Sequence, residues 1–162
     1  MVNEFVLAIV IIVGLLYDLR ERRIPNWVTM PALVVGLALQ GFQGGTSGLV
    51  FSLTGAAAGA ALLIVPFSMG WVGGGDLKLL AAIGALMGVS FTFRTLLLAS
   101  ASAGVITLGW LAIRGSLAAS LKYTFLRWLP SFLPSTKPAA LSAAIPFGPA
   151  LALGVLAAML WP

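Results

Sequence analysis

Long apolar runs alternate with short polar or glycine-rich stretches from one end of this chain to the other. The first run extends from about Val2 to Leu19 and closes on Tyr17 and Asp18. The densest charge cluster follows, Arg20-Glu21-Arg22-Arg23, and after it Ile24-Pro25-Asn26-Trp27. Pro25 suits the first turn of a second helix, about Pro25 to Phe42, which contains Pro31 and is short for a membrane span. Gln43 to Gly48 is uncharged and glycine-rich and reads as a loop. A third helix is expected from about Leu49 to Met69, a fourth from Asp76 or Leu77 to about Phe93, and a fifth from about Thr95 to Ile113. Gly55-Ala-Ala-Ala-Gly59 and Gly84-Ala-Leu-Met-Gly88 have small residues four apart, a spacing that lets membrane helices touch closely.

From Arg114 to Lys137 the pattern changes. Leu117, Leu121, Phe125, Trp128 and Phe132 recur at helical spacing, while Lys122 and Arg127 lie off that stripe. This reads as an amphipathic helix lying in the headgroup region, ended by Pro130 and Pro134. A last helix, about Pro138 to Trp161, is interrupted at Ile145-Pro146-Phe147-Gly148-Pro149. No internal repeat is visible. The expected architecture is all-α: one polytopic membrane domain over residues 1–162, with about six transmembrane helices plus a cytoplasmic-side amphipathic helix.

Composition agrees. The 162 residues are 60% hydrophobic and 8% charged, against about 25% charged in soluble domains, so the surface is built for a lipid bilayer. With no cysteine and no histidine, thiol chemistry and the commonest metal ligand and general base are absent. Two Asp and two Glu are the only acidic groups, so neither a metal nor another cofactor is expected. The net charge of +5 reads as membrane topology and not as nucleic-acid binding. The start, Met-Val-Asn-Glu, has no basic n-region, so the first apolar segment is expected to be retained.

The basic residues orient the chain. With the N-terminus outside, Arg20, Arg22, Arg23, Lys78, Arg114, Lys122, Arg127 and Lys137 fall inside and only Arg94 falls outside. That topology puts Asp18 and Asp76, the two aspartates, at the cytoplasmic ends of helices one and four. Intramembrane carboxylates are costly and point to function. If the helices are neighbours, the two carboxylates meet and share a proton. One can then take a proton from water while the other polarises a carbonyl, as in aspartic proteases. Gly73, Gly74 and Gly75 precede Asp76 and let an extended backbone come close. Lys78 reads as an interfacial anchor that also tunes the charge on Asp76. Pro146, Phe147, Gly148 and Pro149 form either a wall of the site or a packing kink. Plainer readings stay open: Asp76 as a solvated helix cap, and Asp18 as a surface partner of Arg20, Arg22 or Arg23. Glu4 and Glu21 read as exposed, without a role.

Three motifs in order carry a family resemblance. Gly73-Gly74-Gly75-Asp76 fits the Gly-x-Gly-Asp signature of intramembrane aspartic proteases. Asp18 followed by Ile24-Pro25-Asn26 resembles the first-aspartate motif of type IV prepilin peptidases. Ile145-Pro-Phe-Gly-Pro-Ala-Leu-Ala-Leu-Gly154 is similar to their C-terminal segment. The resemblance implies catalytic Asp18 and Asp76, and cleavage of a short basic leader, often after a glycine, from prepilin-like proteins whose own helix sits in the membrane. It implies an inner-membrane enzyme with its site toward the cytoplasm. Larger members carry a cytoplasmic part with paired cysteines, associated with N-methylation. This chain has no cysteine, so it looks like the short peptidase-only form of tight-adherence (Flp-type) pilus systems, without methyltransferase activity. A related archaeal preflagellin-type substrate stays open, as does homo-oligomerisation. Two other classes compete: a small proton-coupled membrane transporter using both aspartates as proton carriers, and a non-catalytic secretion-system scaffold. Transporter sites tend to lie near the midplane between repeats, whereas these aspartates lie near one interface.

Overall fold

The structure is a computed structural model that describes residues 2–21, 24–70, 72–113 and 148–160. Four helices make up the described chain: α1 (Val2–Glu21), α2 (Asn26–Ser68), α3 (Gly74–Ile113) and α4 (Gly148–Leu160). The first three are long and apolar enough to cross a membrane; α4 is apolar and shorter.

Four helices stand where about six were expected, because α2 covers the second and third expected spans and α3 covers the fourth and fifth. Each carries one residue of non-helical backbone, Gly45 in α2 (φ 58°, ψ −134°) and Gly88 in α3 (φ 80°, ψ 178°). Both lie in the left-handed half of backbone space, which glycine enters without a steric penalty. Unbroken, the 43 residues of α2 would extend about 65 Å, twice the roughly 30 Å of a bilayer core. They do not extend: a Cβ on Gly48 would strike the carbonyl oxygen of Gln40, although residues eight apart in a straight helix are about 12 Å apart. The chain therefore folds back at Gly45, inside the loop expected at Gln43 to Gly48. In α3 the break falls at Gly88 and not near Arg94, where the fourth helix was expected to end. A charged residue alone does not stop a helix, whereas the Gly88 backbone does. The expected amphipathic helix from Arg114 to Lys137, with Pro146 and Phe147, lies outside the described residues.

The first half of α3 is the centre of the bundle. Leu79 through Leu86 is buried without interruption. The second half of α2 runs antiparallel to it. A Cβ at Gly55 would meet the backbone of Gly84, one at Gly59 would lie 2.5 Å from the Leu80 oxygen, and Gly88 lies against the Phe51 ring. The first half of α2 packs on the same helix, with Gly36 against Ala85. On the other side α4 meets the second half of α3, where a Cβ at Gly154 would lie 2.6 Å from the Thr95 oxygen. The small-residue spacings are thus contact faces, except that Gly88 is also the break.

Interrupting a helix frees carbonyls in its last turn, and lipid offers them no donor. Two side chains of α2 fill that need. Ser52 Oγ donates to the Ala85 oxygen at 2.7 Å, and Gln40 Nε2 donates to the Leu86 oxygen at 2.8 Å. These bonds also clamp both halves of α2 to the turn before Gly88.

Gly55→Val forces α2 and α3 apart where their backbones touch. It is expected to lower stability by about 1–3 kcal/mol or more, read as an earlier thermal unfolding midpoint in detergent. Gly104→Val, at a position with nothing within 4 Å, is the comparison and should unfold like the parent.

Candidate active site

On α1 the buried residues are Leu7, Val10, Ile11, Gly14 and Asp18. Their spacing of three, one, three and four is one helical stripe, so Asp18 continues the face that α1 turns to the protein. Gly14 on that stripe touches Leu79 of α3, its Cβ position 3.4 Å from Leu79 Cδ2. Asp18 lies one turn beyond Gly14, and Asp76 lies one turn before Leu79. Because α1 ends where α3 begins, one contact brings both aspartates to the same level and side. Asp18 is 5% exposed and Asp76 8%, so neither is a solvated cap. Asp76 lies within the electrostatic reach of Asp18.

Each carboxylate is met by the backbone N–H of a glycine. Gly148 N–H, in α4, donates to Asp18 Oδ2 at 2.8 Å. A Cβ at Gly148 would collide with that carboxylate, so the contact needs glycine. Pro149, which follows, contributes no N–H. Gly73 N–H donates to Asp76 Oδ2 at 3.3 Å, while the Gly73 carbonyl accepts from Leu77 N–H. Asp76 therefore does cap its own helix, in the manner of an acidic third residue reaching back. Its other oxygen, Oδ1, is buried with no partner among the described residues.

The Ile24-Pro25-Asn26 segment closes this end of the bundle. Ile24 is buried, and a Cβ on Gly75 would lie 2.9 Å from both the Ile24 Cβ and its carbonyl oxygen. The backbone that approaches the glycines is thus the chain's own. Gly74 lies against the Phe67 ring, its Cβ position 3.3 Å from Cε2. Lys78 Nζ donates to Asn26 Oδ1 at 2.8 Å, which ties α3 to α2. No described cation is paired with either aspartate, neither Lys78 nor Arg20; Arg22 and Arg23 lie outside the described residues. Tyr17 meets Trp27 edge to face at 5.3 Å and joins the end of α1 to the start of α2.

Of the residues singled out in the sequence, Asp18, Asp76, Gly73, Gly74, Gly75, Ile24, Asn26, Lys78 and Gly148 are joined through these contacts. Pro25 and Pro149 sit beside them at the starts of α2 and α4. Gly148 is the first described residue of α4, and its part is an N–H donor. Gly14 and Leu79 carry no signal in the sequence beyond the spacing of Gly14 from Asp18. Among the described residues no cluster of three or more acidic groups comes together that could hold a metal.

A family model for type IV leader peptidases matches residues 5–108. The chain belongs to the type IV leader peptidase family. The matched stretch includes Asp18, Ile24-Pro25-Asn26 and the Gly73–Asp76 motif; Gly148 lies beyond it. No match is found among curated proteins or among solved structures. Membership of a leader peptidase family, with apolar helices long enough to span a bilayer, makes this a membrane peptidase.

The chain has no cysteine, so introduced pairs report contacts without background. Gly14→Cys with Leu79→Cys is expected to cross-link through a short thiol-specific reagent in membranes. Ile9→Cys, on the exposed side of α1, should not cross-link with Leu79→Cys. Cross-linking at both positions alike would mean that α1 does not present the Gly14–Asp18 stripe to α3.

Proposed function

We propose that this protein is an aspartic endopeptidase that removes the short basic leader from prepilin-like proteins at the cytoplasmic face of the inner membrane. Asp18 and Asp76 are its catalytic pair. One carboxylate takes a proton from water, and the other, protonated, polarises the scissile carbonyl. No covalent intermediate is needed, and no metal or cofactor takes part. The observation that supports this most directly is the pairing itself: two buried carboxylates, distant in sequence, at one level of a leader-peptidase-family bundle.

The membrane arrangement in this proposal has six spans. The breaks at Gly45 and Gly88 divide α2 and α3 into two spans each, and α1 and the final helix complete the set. The N-terminus lies outside, following the distribution of basic residues. Both aspartates then face the cytoplasm, where a substrate's leader would lie while its own helix stays in the bilayer. Methyl transfer is not part of the activity, since the paired cysteines of bifunctional members have no counterpart in this chain.

Cleavage of a pilin precursor from the same genome by the purified protein tests the proposal, with mass spectrometry locating the cut. One cut near the junction of leader and helix, without an added methyl group, is expected. Asp18→Asn and Asp76→Asn keep the side-chain shape and remove the acid–base function, so each should lower turnover by roughly 10²–10⁴-fold while remaining folded. Undiminished turnover in either variant removes that residue from the pair.

The rate should also pass through a maximum as pH is varied. Activity needs one proton on the pair: a second, added in acid, removes the base, and loss of the first, in alkali, removes the acid. A profile of kcat/KM that stays flat from acid to alkaline pH would count against a shared proton.

A further inference from the structure

The two aspartates are held differently, and the difference has a chemical direction. Asp18 Oδ2 accepts a buried 2.8 Å bond from the Gly148 N–H of α4. That length is typical of a bond to an ionised acceptor. Among the described residues Asp76 accepts one bond, from Gly73 at 3.3 Å, near the long limit for such a contact. Its Oδ1 is buried with no donor among the described residues, beside the charge of Asp18. A bare carboxylate oxygen there is costly. A protonated one carries its own hydrogen and becomes a donor.

We infer that the pair has fixed roles: Asp18, held by the Gly148 N–H, is the ionised base, and Asp76, through its Oδ1 without a partner among the described residues, carries the proton and donates it to the scissile carbonyl. The inference rests on the peptidase reading and deepens it. Asp76 also stands in the first turn of α3, where a helix end favours an anion. That influence acts through the Gly73 bond to Oδ2 and leaves Oδ1 bare.

The reaction balances on these roles. Asp18 takes a proton from water as the water oxygen bonds to the carbonyl carbon. Asp76 gives its proton to the carbonyl oxygen. The product is a neutral gem-diol, with Asp18 now protonated and Asp76 ionised. Asp18 then gives its proton to the amide nitrogen, the C–N bond breaks, and a hydroxyl proton returns to Asp76 as the carboxylic acid product forms. Both side chains end as they began.

The sequence allows a test on the unaltered protein. Tyr-Asp occurs once, at Tyr17-Asp18, and Gly-Asp occurs once, at Gly75-Asp76. Carbonyl-¹³C tyrosine with uniformly ¹³C,¹⁵N-labelled aspartate assigns the Asp18 signals by their link to Tyr17. The only other aspartate signal belongs to Asp76. The γ-carboxyl shifts are then read at mildly acidic pH in bilayers without substrate. The expected result is an ionised Asp18 and a protonated Asp76. The reverse, or two carboxyls in the same state, overturns the assignment.

Turnover provides the second arm. An amide can still donate to a carbonyl but cannot take a proton from water. Asp76→Asn should therefore keep at least tenfold more residual activity than Asp18→Asn. Equal residues of activity, or the opposite order, also overturn the roles. Because the spectrum needs no substrate, the two failures separate. A parent protein that cleaves no precursor sinks the peptidase reading and the roles with it. One that cleaves with Asp18 protonated sinks the roles alone.

Discussion

In a chain this apolar, each polar group that leaves the water must find its partner inside the protein. Lipid supplies no donor to a free carbonyl and no solvation to a carboxylate. Polar contacts at two levels of the bundle answer that constraint. Around the break at Gly88, Ser52 and Gln40 take up the carbonyls of Ala85 and Leu86. At the other end, Gly148 and Gly73 supply backbone N–H groups to Asp18 and Asp76. In both places a glycine lets chains approach closely enough for the bond to form. The first half of α3 runs between these levels, from Asp76 to Gly88, so the satisfied break and the carboxylate pair are opposite ends of one buried segment.

Much of this was legible in the sequence, for definable reasons. The apolar runs mark membrane helices because spanning needs length, and length is visible. Asp18 and Asp76 stand out because carboxylates are rare in such runs, and the glycines at 73–75 stand out beside one of them. The place where α2 folds back was foreseen at Gln43 to Gly48, since several glycines without charges mark a turn. The break in α3 was misplaced toward Arg94. There the charge drew attention, while the property that breaks the helix, a left-handed backbone, belongs to Gly88 and is hidden within a small-residue packing motif.

The contacts that assemble the site were harder to see. In a soluble helix the apolar face is the buried one, so periodicity reveals orientation. Here the lipid face is as apolar as the protein face: on α1, Phe5, Ile9, Ile12 and Leu16 are exposed while Leu7, Val10 and Ile11 are buried. Hydrophobicity cannot tell these stripes apart. The small residue Gly14 and the carboxylate of Asp18 mark the inward side, and only the fold reveals that Leu79 fills the space Gly14 leaves. The part of Gly148 was hidden for another reason. What it contributes is a backbone N–H, which every residue but proline has; its distinction is the missing Cβ that would otherwise strike Asp18.

This dependence on backbone donors bears on how two identical side chains can do different work. A pair fixed by arginines or lysines would hold both carboxylates as anions, and water would have no acid beside its base. Here no described cation pairs with either aspartate, and the nearby Lys78 is engaged by Asn26 at the edge of the site. Among the described residues each carboxylate has one neutral donor, which in the proposed mechanism orients the group without removing a shared proton. In the proposed roles, the unequal donors, Gly148 N–H at 2.8 Å against Gly73 N–H at 3.3 Å within one turn, set where that proton rests. On this view α4 does more than complete the bundle: by directing the Gly148 N–H at Asp18, it separates two like residues into base and acid.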